Sequence, residues 1–549
     1  MNSPVSRRSV LAGAAAAAGL AVATSVAGAA PVAARPLPGG TPHPDGRYRL
    51  LVPGLYKAPP TVADHVPVLV IGSGFGASVA ALRLAQAGES VAMLERGSRW
   101  PRDNWRQIFS DDAIPDGRAQ WFRTSFTGVS GTPSYFDRFG GVLDVTDYAG
   151  ISVWRGAAVG GGSVVFTGAL VQPEQRFFDH VFNGAVPYEE MNSVYYPRAL
   201  AMLRGSTMPD DVYQSAPFGH SRRWDSDVAK AGYTSQRIKS IFSWDVVRKE
   251  LRFQSRRSAV RGESNYGNSN GAKYDLTQNY LAQAEATGRV TIHFRHVVQA
   301  IGQQADGRYW LRIDLIEPNG AVVLSKTITC DRLFLGAGSV GTSELLVRAR
   351  ADGSLPNLNE HVGEGWGSNG DAAVTRSFQL SSGFVQGAPS ASRILDESGM
   401  PVTLENWYVP GLPTNLGIIG SLGMTLDDTR AAFRYDAATD NVVLDWPKTG
   451  NDESVKALRA VNNRIVSAAG GVAGFPLLAP DVNASFTAHP LGGAVLGKAT
   501  DSYGRVAGHA GLYVVDAAAI PGSTGTVNPS LTITALAERA IERIIADGS

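Results

Sequence analysis

A glycine-rich turn that opens a helix, with an acid at the end of the next strand, is the strongest chemical signal in the chain. Gly72, Gly74 and Gly76 come directly after the apolar residues 68–71, and Glu95 ends the following apolar run. Glycines let the backbone turn sharply and approach a pyrophosphate, while free N–H groups of the opening helix point at the phosphates. The acid accepts the ribose hydroxyls. This spacing predicts a bound adenine dinucleotide and does not by itself separate NAD from FAD.

Two polar residues near the C-terminus are candidates for chemistry on a substrate. His489 precedes Pro490 and two glycines, a tight loop that fixes the imidazole, and Asn528 precedes Pro529 at the start of the last predicted helix. A histidine and an asparagine at one face of a flavin can bind an alcohol oxygen: one accepts its proton and the other donates a hydrogen bond. The alternative is a structural histidine.

A second glycine-rich loop lies at residues 160–163, between apolar runs. Consecutive small residues let the backbone approach a flat ring or a pyrophosphate. The alternative is a surface loop, but the apolar flanks favour a buried loop beside the cofactor.

The elements that must position these residues predict an α/β fold. Residues 68–95 form a Rossmann-type unit of strand, glycine turn, helix and second strand. Residues 290–331 alternate as four strands, and residues 332–348 repeat the order of strand, glycine turn and helix. A strand, a loop and a long closing helix end the chain. The predicted cofactor domain is therefore discontinuous.

The chain thus divides into a Rossmann-type domain and a substrate-binding domain, which we expect to contain a large mixed or antiparallel sheet and helices. The cofactor domain comprises residues 64–99, 274–364 and 505–549. The substrate-binding domain comprises residues 100–273 and 365–504. A linker at residues 36–63 precedes both.

Composition excludes several classes of function. The 549 residues carry a formal net charge of +1 without a dense basic tract, so nucleic acid is not an expected partner. Cys330 is the single cysteine, which excludes an intrachain disulfide and any metal site built on cysteines. We expect Cys330 to be a buried, inert thiol, and no metal site is predicted.

The first 35 residues are typical of an export signal. Arg7 and Arg8 precede an alanine-rich apolar stretch, and small residues around Gly28 offer a cleavage site. Paired arginines indicate the bacterial twin-arginine route, which exports folded proteins and therefore suits one that carries a cofactor. The alternative is an uncleaved membrane anchor. The sequence predicts a secreted protein.

Several motifs resemble the glucose–methanol–choline family of flavoprotein oxidoreductases. They are "GWGSNG", "DAATD", "HPLGG", "VLGKATD", "YGRVAG" and "VNPSLTITALAER", and the resemblance extends over residues 66–547. Within the family, the chain is most similar to bacterial cholesterol oxidases that bind FAD non-covalently. The resemblance implies FAD as the cofactor.

Matching positions then imply roles at the two ends of the cofactor. The adenosine and pyrophosphate site of the family corresponds to Gly72, Gly74, Gly76 and Glu95, and a backbone contact to the adenine corresponds to Val298.

The loop beneath the isoalloxazine ring corresponds to Gly161, Gly162 and Ser163. Asp516 corresponds to a residue at the ribityl chain.

The turn of Asn528 and Pro529 corresponds to the flavin ring, and His489 and Asn528 correspond to the family's catalytic pair. In the family, a sterol hydroxyl loses its proton as hydride passes to the flavin, and O₂ reoxidises the flavin to give peroxide.

The positions at which this sequence departs from the family's pattern lie near the predicted active site. Phe166 and Thr167 stand where the family has Asn and Gly, and Ser530 stands where it has Phe. These changes favour a relative with a changed substrate or changed chemistry.

A carboxylate that moves a proton during sterol isomerisation is harder to assign. Glu405 lies in "LENW", similar to the family's "LETW", and this match makes it a candidate for the catalytic acid. Counting residues back from Phe433 or forward from "GWGSNG" instead places the family's Glu near Asn415. We therefore expect Asn415 to occupy that place and little double-bond migration to occur.

The leading functional hypothesis is an oxidase that converts a secondary hydroxyl of a hydrophobic, sterol-like substrate to a ketone, with O₂ as acceptor. We expect a monomer that contacts a membrane surface transiently to extract its substrate. One alternative is a flavoenzyme for another bulky alcohol or another acceptor. Another is a flavin-retaining lyase or isomerase without net redox turnover.

Overall fold

The computed structural model describes residues 46–127, 133–411, 414–474 and 485–548. The export signal predicted for residues 1–35, with Arg7 and Arg8, lies outside the described residues. None of the described helices is long and apolar enough to cross a membrane.

The strands, numbered along the chain, are of very different lengths. They are β1 His65–Ile71, β2 Val91–Glu95, β3 Ser125–Thr127, β4 Pro133–Tyr135, β5 Leu143–Tyr148, β6 Ile151–Gly156, β7 Ser206–Thr207, β8 Gln236–Arg237, β9 Lys239–Ser240, β10 Val290–Phe294, β11 His296–Gln303, β12 Tyr309–Ile316, β13 Val322–Leu335, β14 Ala372–Ser377, β15 Ser392–Asp396, β16 Val402–Trp407, β17 Ile419–Thr425, β18 Phe433–Asp436, β19 Asn441–Leu444, β20 Val472–Ala473, β21 Phe486–Thr487 and β22 Leu512–Val514.

The α-helices are numbered in the same way. They are α1 Gly46–Leu51, α2 Phe75–Gln86, α3 Gly162–Val165, α4 Gln175–Phe182, α5 Tyr188–Glu190, α6 Tyr196–Met202, α7 Asp210–Tyr213, α8 Gly219–Lys230, α9 Trp244–Leu251, α10 Tyr280–Ala286, α11 Gly338–Ala351, α12 Asp452–Ala469 and α13 Ser530–Ala546. Short 3₁₀ turns occur at Pro53–Tyr56, Ala216–Phe218, Ala259–Arg261, Leu276–Gln278 and Ala517–Ala519, and a π-helical turn at Met191–Tyr195 joins α5 to α6.

The cofactor side of the molecule is a seven-stranded sheet of mixed direction. Its order is β10-β2-β1-β13-β12-β11, and β22 also pairs with β13. The strands β10, β2, β1, β13 and β22 run parallel, whereas β11 and β12 are antiparallel additions. The carboxyl ends of β1 and β13 are therefore adjacent, and the two glycine turns that follow them meet at one edge. The predicted α/β fold with a Rossmann-type sheet is confirmed.

One strand differs from the sequence-based prediction. Residues 322–331 and 332–335 form a single strand, β13, rather than two. Its first part pairs antiparallel with β12 and its last part pairs parallel with β1. No Gly or Pro interrupts the run from Cys330 to Leu333, so the chain continues straight through both pairings. Cys330 is buried within it.

The substrate side contains an antiparallel sheet in the order β20-β14-β17-β16-β15-β8. Helices α8 and α12 cover one of its faces, where Trp224, Leu404 and Leu458 form a core. Because successive side chains of a strand point to opposite faces, Glu405 and Trp407 of β16 lie on the other face, away from these helices. Trp407 there packs with Leu422 and Phe486.

The predicted domain boundaries stay a prediction. Residues 175–202 fall within the segment assigned to the substrate-binding domain, yet their helices α4 and α6 share the core of the Rossmann-type sheet. Helix α6 packs on the closing helix α13. The 46–63 part of the predicted linker contains α1 and buries Tyr48, Val52 and Leu55.

Candidate active site

The first glycine turn is shaped by two close backbone approaches and one open position. Gly72 has φ +90°, and a Cβ there would lie 2.1 Å from the Gly336 carbonyl oxygen. A Cβ on Gly76 would lie 1.6 Å from the Val515 carbonyl oxygen. A Cβ on Gly74, by contrast, would meet nothing within 4 Å. The turn is therefore packed against the protein at its two ends and presents bare backbone to open space at Gly74.

Ser73 and Glu95 connect this turn to the second glycine loop. The Ser73 hydroxyl donates to Glu95 Oε2 at 2.6 Å and accepts from the Gly160 N–H at 3.0 Å. The Gly97 N–H donates to Glu95 Oε1 at 2.8 Å. Burial raises the pKa of Glu95. Each carboxylate oxygen retains a lone pair, so Glu95 can still accept a ribose hydroxyl.

The second glycine loop packs directly on the first. Gly161 has φ +53°, and a Cβ there would lie 2.7 Å from Gly74 Cα. The Ser163 hydroxyl donates to the Gly160 carbonyl at 2.7 Å and accepts from the Leu276 N–H at 3.1 Å. Its side chain is thus turned into the protein, while Gly161 and Gly162 line the cavity described below.

Asp516 ties the C-terminal segment to the second strand–turn–helix unit. Its Oδ2 accepts from the Gly338 N–H at 2.8 Å and the Thr342 hydroxyl at 2.6 Å, and its Oδ1 accepts from the Ala518 N–H at 2.8 Å. Burial raises the pKa of Asp516 to about 6. Asp516 thereby fixes the N-terminus of α11 beside the glycine turns.

A single cavity of about 930 Å³ joins these features. This volume is near the upper end of the roughly 300–1,000 Å³ typical of ligand sites. Except for Ser163 and Glu405, the residues predicted for the site all line it: Gly72, Gly74, Gly76, Glu95, Gly161, Gly162, Val298, His489, Asp516, Asn528 and Pro529.

The donor set of this cavity fits FAD. The open backbone at Gly74 and the N-terminus of α2 suit a pyrophosphate, because the start of a helix offers unpaired N–H groups. Val298 lies on β11, at the end of the sheet order, and lines the cavity at the predicted adenine position. His489 and Asn528 lie on the same cavity as these groups, as expected for a long dinucleotide.

His489 is oriented by a buried carboxylate that the sequence analysis missed. His489 Nδ1 lies 2.8 Å from Asp371 Oδ1, so the ring donates from Nδ1 and keeps Nε2 for the cavity. Asp371 Oδ2 accepts from the Thr487 hydroxyl and the Ala488 N–H, both at 3.0 Å. Burial disfavours the charged imidazole, but Asp371, helped by Glu405, outweighs burial and raises the pKa of His489.

Asn528 is paired with Glu405. Its Nδ2 donates to Glu405 Oε2 at 3.3 Å, and both residues are buried. Burial raises the pKa of Glu405 to about 7, against the lowering influence of His489, Asn528 and Arg393. Among the described residues, Glu405 Oε1 and Asn528 Oδ1 have no hydrogen-bond partner. Because unpaired buried polar atoms are costly, these two atoms suit a polar group of a ligand.

The expectation that Asn415 stands in the place of this acid is wrong. Asn415 lies in the loop between β16 and β17, where its amide donates to Ser381 and Gly383 carbonyls at 3.2 and 3.0 Å. Glu405 is placed by sheet register instead, opposite Leu422 of β17, and this register brings it to Asn528. Residue counting failed because it measures loop length rather than strand pairing.

The wall near His489 and Asn528 is largely apolar. Its aromatic and aliphatic members are Trp154, Val165, Phe166, Trp407, Leu422 and Phe486. Trp154 stacks on Phe486 with ring centroids 4.7 Å apart, and Phe166 packs edge-on against Phe75 at 5.4 Å. This end of the cavity suits a hydrophobic substrate.

Asp371 follows directly on the "GWGSNG" motif, and that adjacency was the only signal for it in the sequence. His489 is 118 positions away, and the pairing arises only when β14 and β21 are both in place.

Comparison with known proteins shows what the chain is similar to. The family model described as "GMC oxidoreductase" matches residues 437–537. The cholesterol oxidase of Mycobacterium tuberculosis (strain CDC 1551 / Oshkosh) is 28% identical, over 86% of this chain and 90% of the relative. The cholesterol oxidase of Acinetobacter baumannii is 24% identical, over 87% of this chain and 94% of the relative.

Solved structures share the fold at lower identity. Formate oxidase from Aspergillus oryzae RIB40, in a structure concerned with FAD modification, superposes with a TM-score of 0.59 and 13% identity, over 89% of this chain and 99% of that chain. Pyridoxine 4-oxidase from "Mesorbium loti" superposes with a TM-score of 0.58 and 14% identity, over 88% of this chain and 99% of that chain. Residues 437–537 thus match the GMC oxidoreductase family, the chain is similar to cholesterol oxidases over most of its length, and its cofactor is FAD.

Proposed function

We propose that the protein oxidises a secondary hydroxyl of a hydrophobic, sterol-like substrate to a ketone, with O₂ as the acceptor. The observation that carries this proposal is the arrangement of His489, Asp371 and Asn528 at an apolar cavity wall next to the dinucleotide-binding turns. The cholesterol oxidases that match most of the chain support the sterol-like class of substrate.

His489 is the group that takes the proton of the substrate hydroxyl. Its Nδ1–H is held by Asp371, so Nε2 accepts the proton and the carboxylate stabilises the imidazolium that forms. One Nδ2–H of Asn528 is used by Glu405, which leaves the second for the substrate oxygen. FAD bound in this cavity would accept the hydride from the carbinol carbon. The same hydrogen bonds hold that carbon in place for the transfer.

Glu405 is proposed as the acid and base of a second step, migration of a steroid double bond. It lies directly behind Asn528, and its pKa of about 7 lets it exchange a proton near neutral pH. A carboxyl group with an ordinary pKa would stay ionised there and would return a proton poorly.

A changed substrate or acceptor is the second candidate function. It is favoured by Phe166, which lines the cavity and packs on Phe75. The family resemblance implies an Asn at this position. Thr167 also lines the cavity. A bulky apolar ring at this place changes both the shape of the cavity and the access of small molecules. A lyase or isomerase that retains the flavin without net redox turnover is the remaining alternative.

One anaerobic experiment separates these functions. Cholesterol and a panel of other bulky secondary alcohols are mixed with holoenzyme without O₂, and flavin absorbance is followed. Bleaching by cholesterol, with one peroxide released per ketone after O₂ is admitted, is expected. Bleaching only by another alcohol would support the second candidate, and product formation without bleaching would support the lyase or isomerase.

Contact with a lipid surface is proposed as the way the substrate is obtained. Phe378, Leu380, Phe384 and Leu416 are exposed on two loops joined by backbone hydrogen bonds. These loops extend from the ends of β14 and β17, the same end of the sheet at which Trp407 pairs with Gly420. Replacing Leu380 and Phe384 together by Ser should weaken sedimentation with sterol-containing vesicles while leaving turnover of detergent-solubilised sterol intact. Unchanged sedimentation would contradict this contact.

Export by the twin-arginine route is also proposed, on the sequence of residues 1–35 alone. Replacing Arg7 and Arg8 by Lys should retain active enzyme inside the cell. Normal export of that variant would rule out the route.

A further inference from the structure

A buried lysine lies behind the wall of the cavity, outside the machinery described above. Lys273 is 1% exposed, and its ammonium donates to the Val164 carbonyl at 2.9 Å and the Ser264 carbonyl at 2.7 Å. Among the ion pairs of the described residues, none includes Lys273. A buried ammonium satisfied only by neutral carbonyls is costly to maintain, so its place in the fold calls for an explanation.

The two carbonyls belong to the wall of the cavity. Val164 is followed by Val165 and Phe166, which both line it, and Ser264 donates through its hydroxyl to the Phe166 carbonyl at 3.0 Å. The Lys273 ammonium also lies 5.7 Å from the centre of the Phe166 ring. Only one layer of residues therefore separates this charge from the cavity.

The residues that correspond to the family's isoalloxazine site lie in the same part of the cavity as Val165 and Phe166. Gly161 and Gly162, at the start of α3, line this cavity together with His489 and Asn528. On the proposed function, hydride passes from a carbon held by His489 and Asn528 to the ring, so the isoalloxazine would lie between these two pairs.

We propose that Lys273 is an electrostatic positioning residue for FAD, whose charge stabilises the negative charge that the isoalloxazine gains on reduction. A hydride carries two electrons and one proton, so the neutral oxidised ring becomes a reduced ring with one negative charge. A cation one residue behind the ring, in an interior of low polarity, favours that charge more than water would. Lys273 does not touch the reacting atoms and acts through the field at the ring.

The surroundings of Lys273 sustain part of this charge. Burial lowers the pKa of Lys273 to about 7, while the nearby carboxylates of Asp112 and Asp275 act in the opposite direction. Asp112 Oδ2 accepts from the Asn265 N–H at 3.3 Å, so Asp112 and Lys273 bind successive residues of one loop. If Lys273 only held the loop in place, it would need its two hydrogen bonds but not its positive charge.

The test distinguishes a role for the charge of Lys273 from a role for its two hydrogen bonds alone. Lys273→Gln retains N–H donors for the two carbonyls and removes the charge, whereas Lys273→Arg retains the charge. Lys456→Gln, at an exposed lysine on α12, is the matched control. The readouts are the sulfite dissociation constant of the oxidised holoenzyme, since sulfite forms an anionic adduct with the flavin, and the two-electron reduction potential.

Lys273→Gln should weaken sulfite binding about tenfold and lower the potential correspondingly, by about 30 mV for a two-electron couple. Lys273→Arg and Lys456→Gln should stay close to wild type. Wild-type values in Lys273→Gln, or an equal loss in Lys273→Arg, would overturn the proposal.

A pH series decides the matter if Lys273→Gln does not retain FAD. Because the pKa of Lys273 is about 7, sulfite binding to the wild type should weaken with rising pH more than it does in Lys273→Arg, whose side chain stays charged. The same pH dependence of sulfite binding in wild type and Lys273→Arg would then overturn the proposal and assign Lys273 to holding the loop. Neither readout depends on the identity of the alcohol.

Discussion

The Asn528 amide nitrogen lies 3.3 Å from a Glu405 carboxylate oxygen, although 123 positions separate the two residues along the chain. This contact links the proposed oxidation site to the proposed isomerisation acid. It also leaves one oxygen of each residue without a partner in the described part of the chain. Glu405 and His489 influence each other's pKa, so two groups that can exchange protons lie close together beside Asn528.

His489 should govern reduction of the flavin more than its binding. Without the imidazole no group takes the hydroxyl proton, so His489→Ala should slow anaerobic flavin reduction by the ~10²–10⁴-fold expected for a lost general base. Stopped-flow absorbance measures the rate, and the ratio of flavin to protein absorbance measures FAD content. Unchanged kinetics at full FAD content would assign His489 a structural role.

Asp371 should set the pH at which His489 becomes a base. Because Asp371 raises the pKa of His489, Asp371→Asn should lower that pKa and move the acid limb of the reduction rate to lower pH. The maximal rate should also fall, since an amide can hold the wrong tautomer of the imidazole. The measurement is the reduction rate across pH. An acid limb that moves to higher pH would contradict the pairing.

Glu405 should control the product rather than the oxidation. Glu405→Gln keeps a hydrogen-bond acceptor for Asn528 but cannot exchange a proton, so the unconjugated ketone should accumulate while flavin reduction stays near wild type. The conjugated enone is followed by its ultraviolet absorbance. The matched control is Asn415→Gln, which lies in the loop away from Asn528 and should leave the product unchanged. A wild-type product from Glu405→Gln would remove Glu405 from the mechanism.

Glu95 should contribute to retention of FAD. Loss of a charge-assisted hydrogen bond to ribose costs about 1.5–3 kcal/mol, so Glu95→Ala should weaken FAD binding by that amount. Glu95→Gln is the control, because it preserves the hydrogen-bonding shape next to Ser73 without the charge. Titration of apoprotein with FAD, followed by flavin fluorescence, gives the dissociation constants. Equal affinity in Glu95→Ala would show that the carboxylate serves only Ser73 and Gly97.

The sequence predicted local structure best where a backbone conformation is possible only for particular residues, such as glycine. The glycine turn after β1 could be predicted from its residues alone, because Gly72 needs a positive φ and Gly76 tolerates no side chain beside Val515. The predicted Rossmann-type sheet followed from apolar runs that alternate with these turns. FAD was predicted from the resemblance of several sequence motifs to the glucose–methanol–choline family.

Relationships between distant segments were decided only by the tertiary structure. Glu405 reaches Asn528 through the register of β16 with β17, which a count of residues across the 408–418 loop does not measure. Asp371 reaches His489 across 118 positions, and Ser163 turns its hydroxyl into the protein because the Gly160 carbonyl and the Leu276 N–H satisfy it there. Lys273 likewise lies behind Val165 and Phe166 of the cavity because of long-range packing. Packing between distant segments, and not spacing along the chain, determines which polar atoms become neighbours.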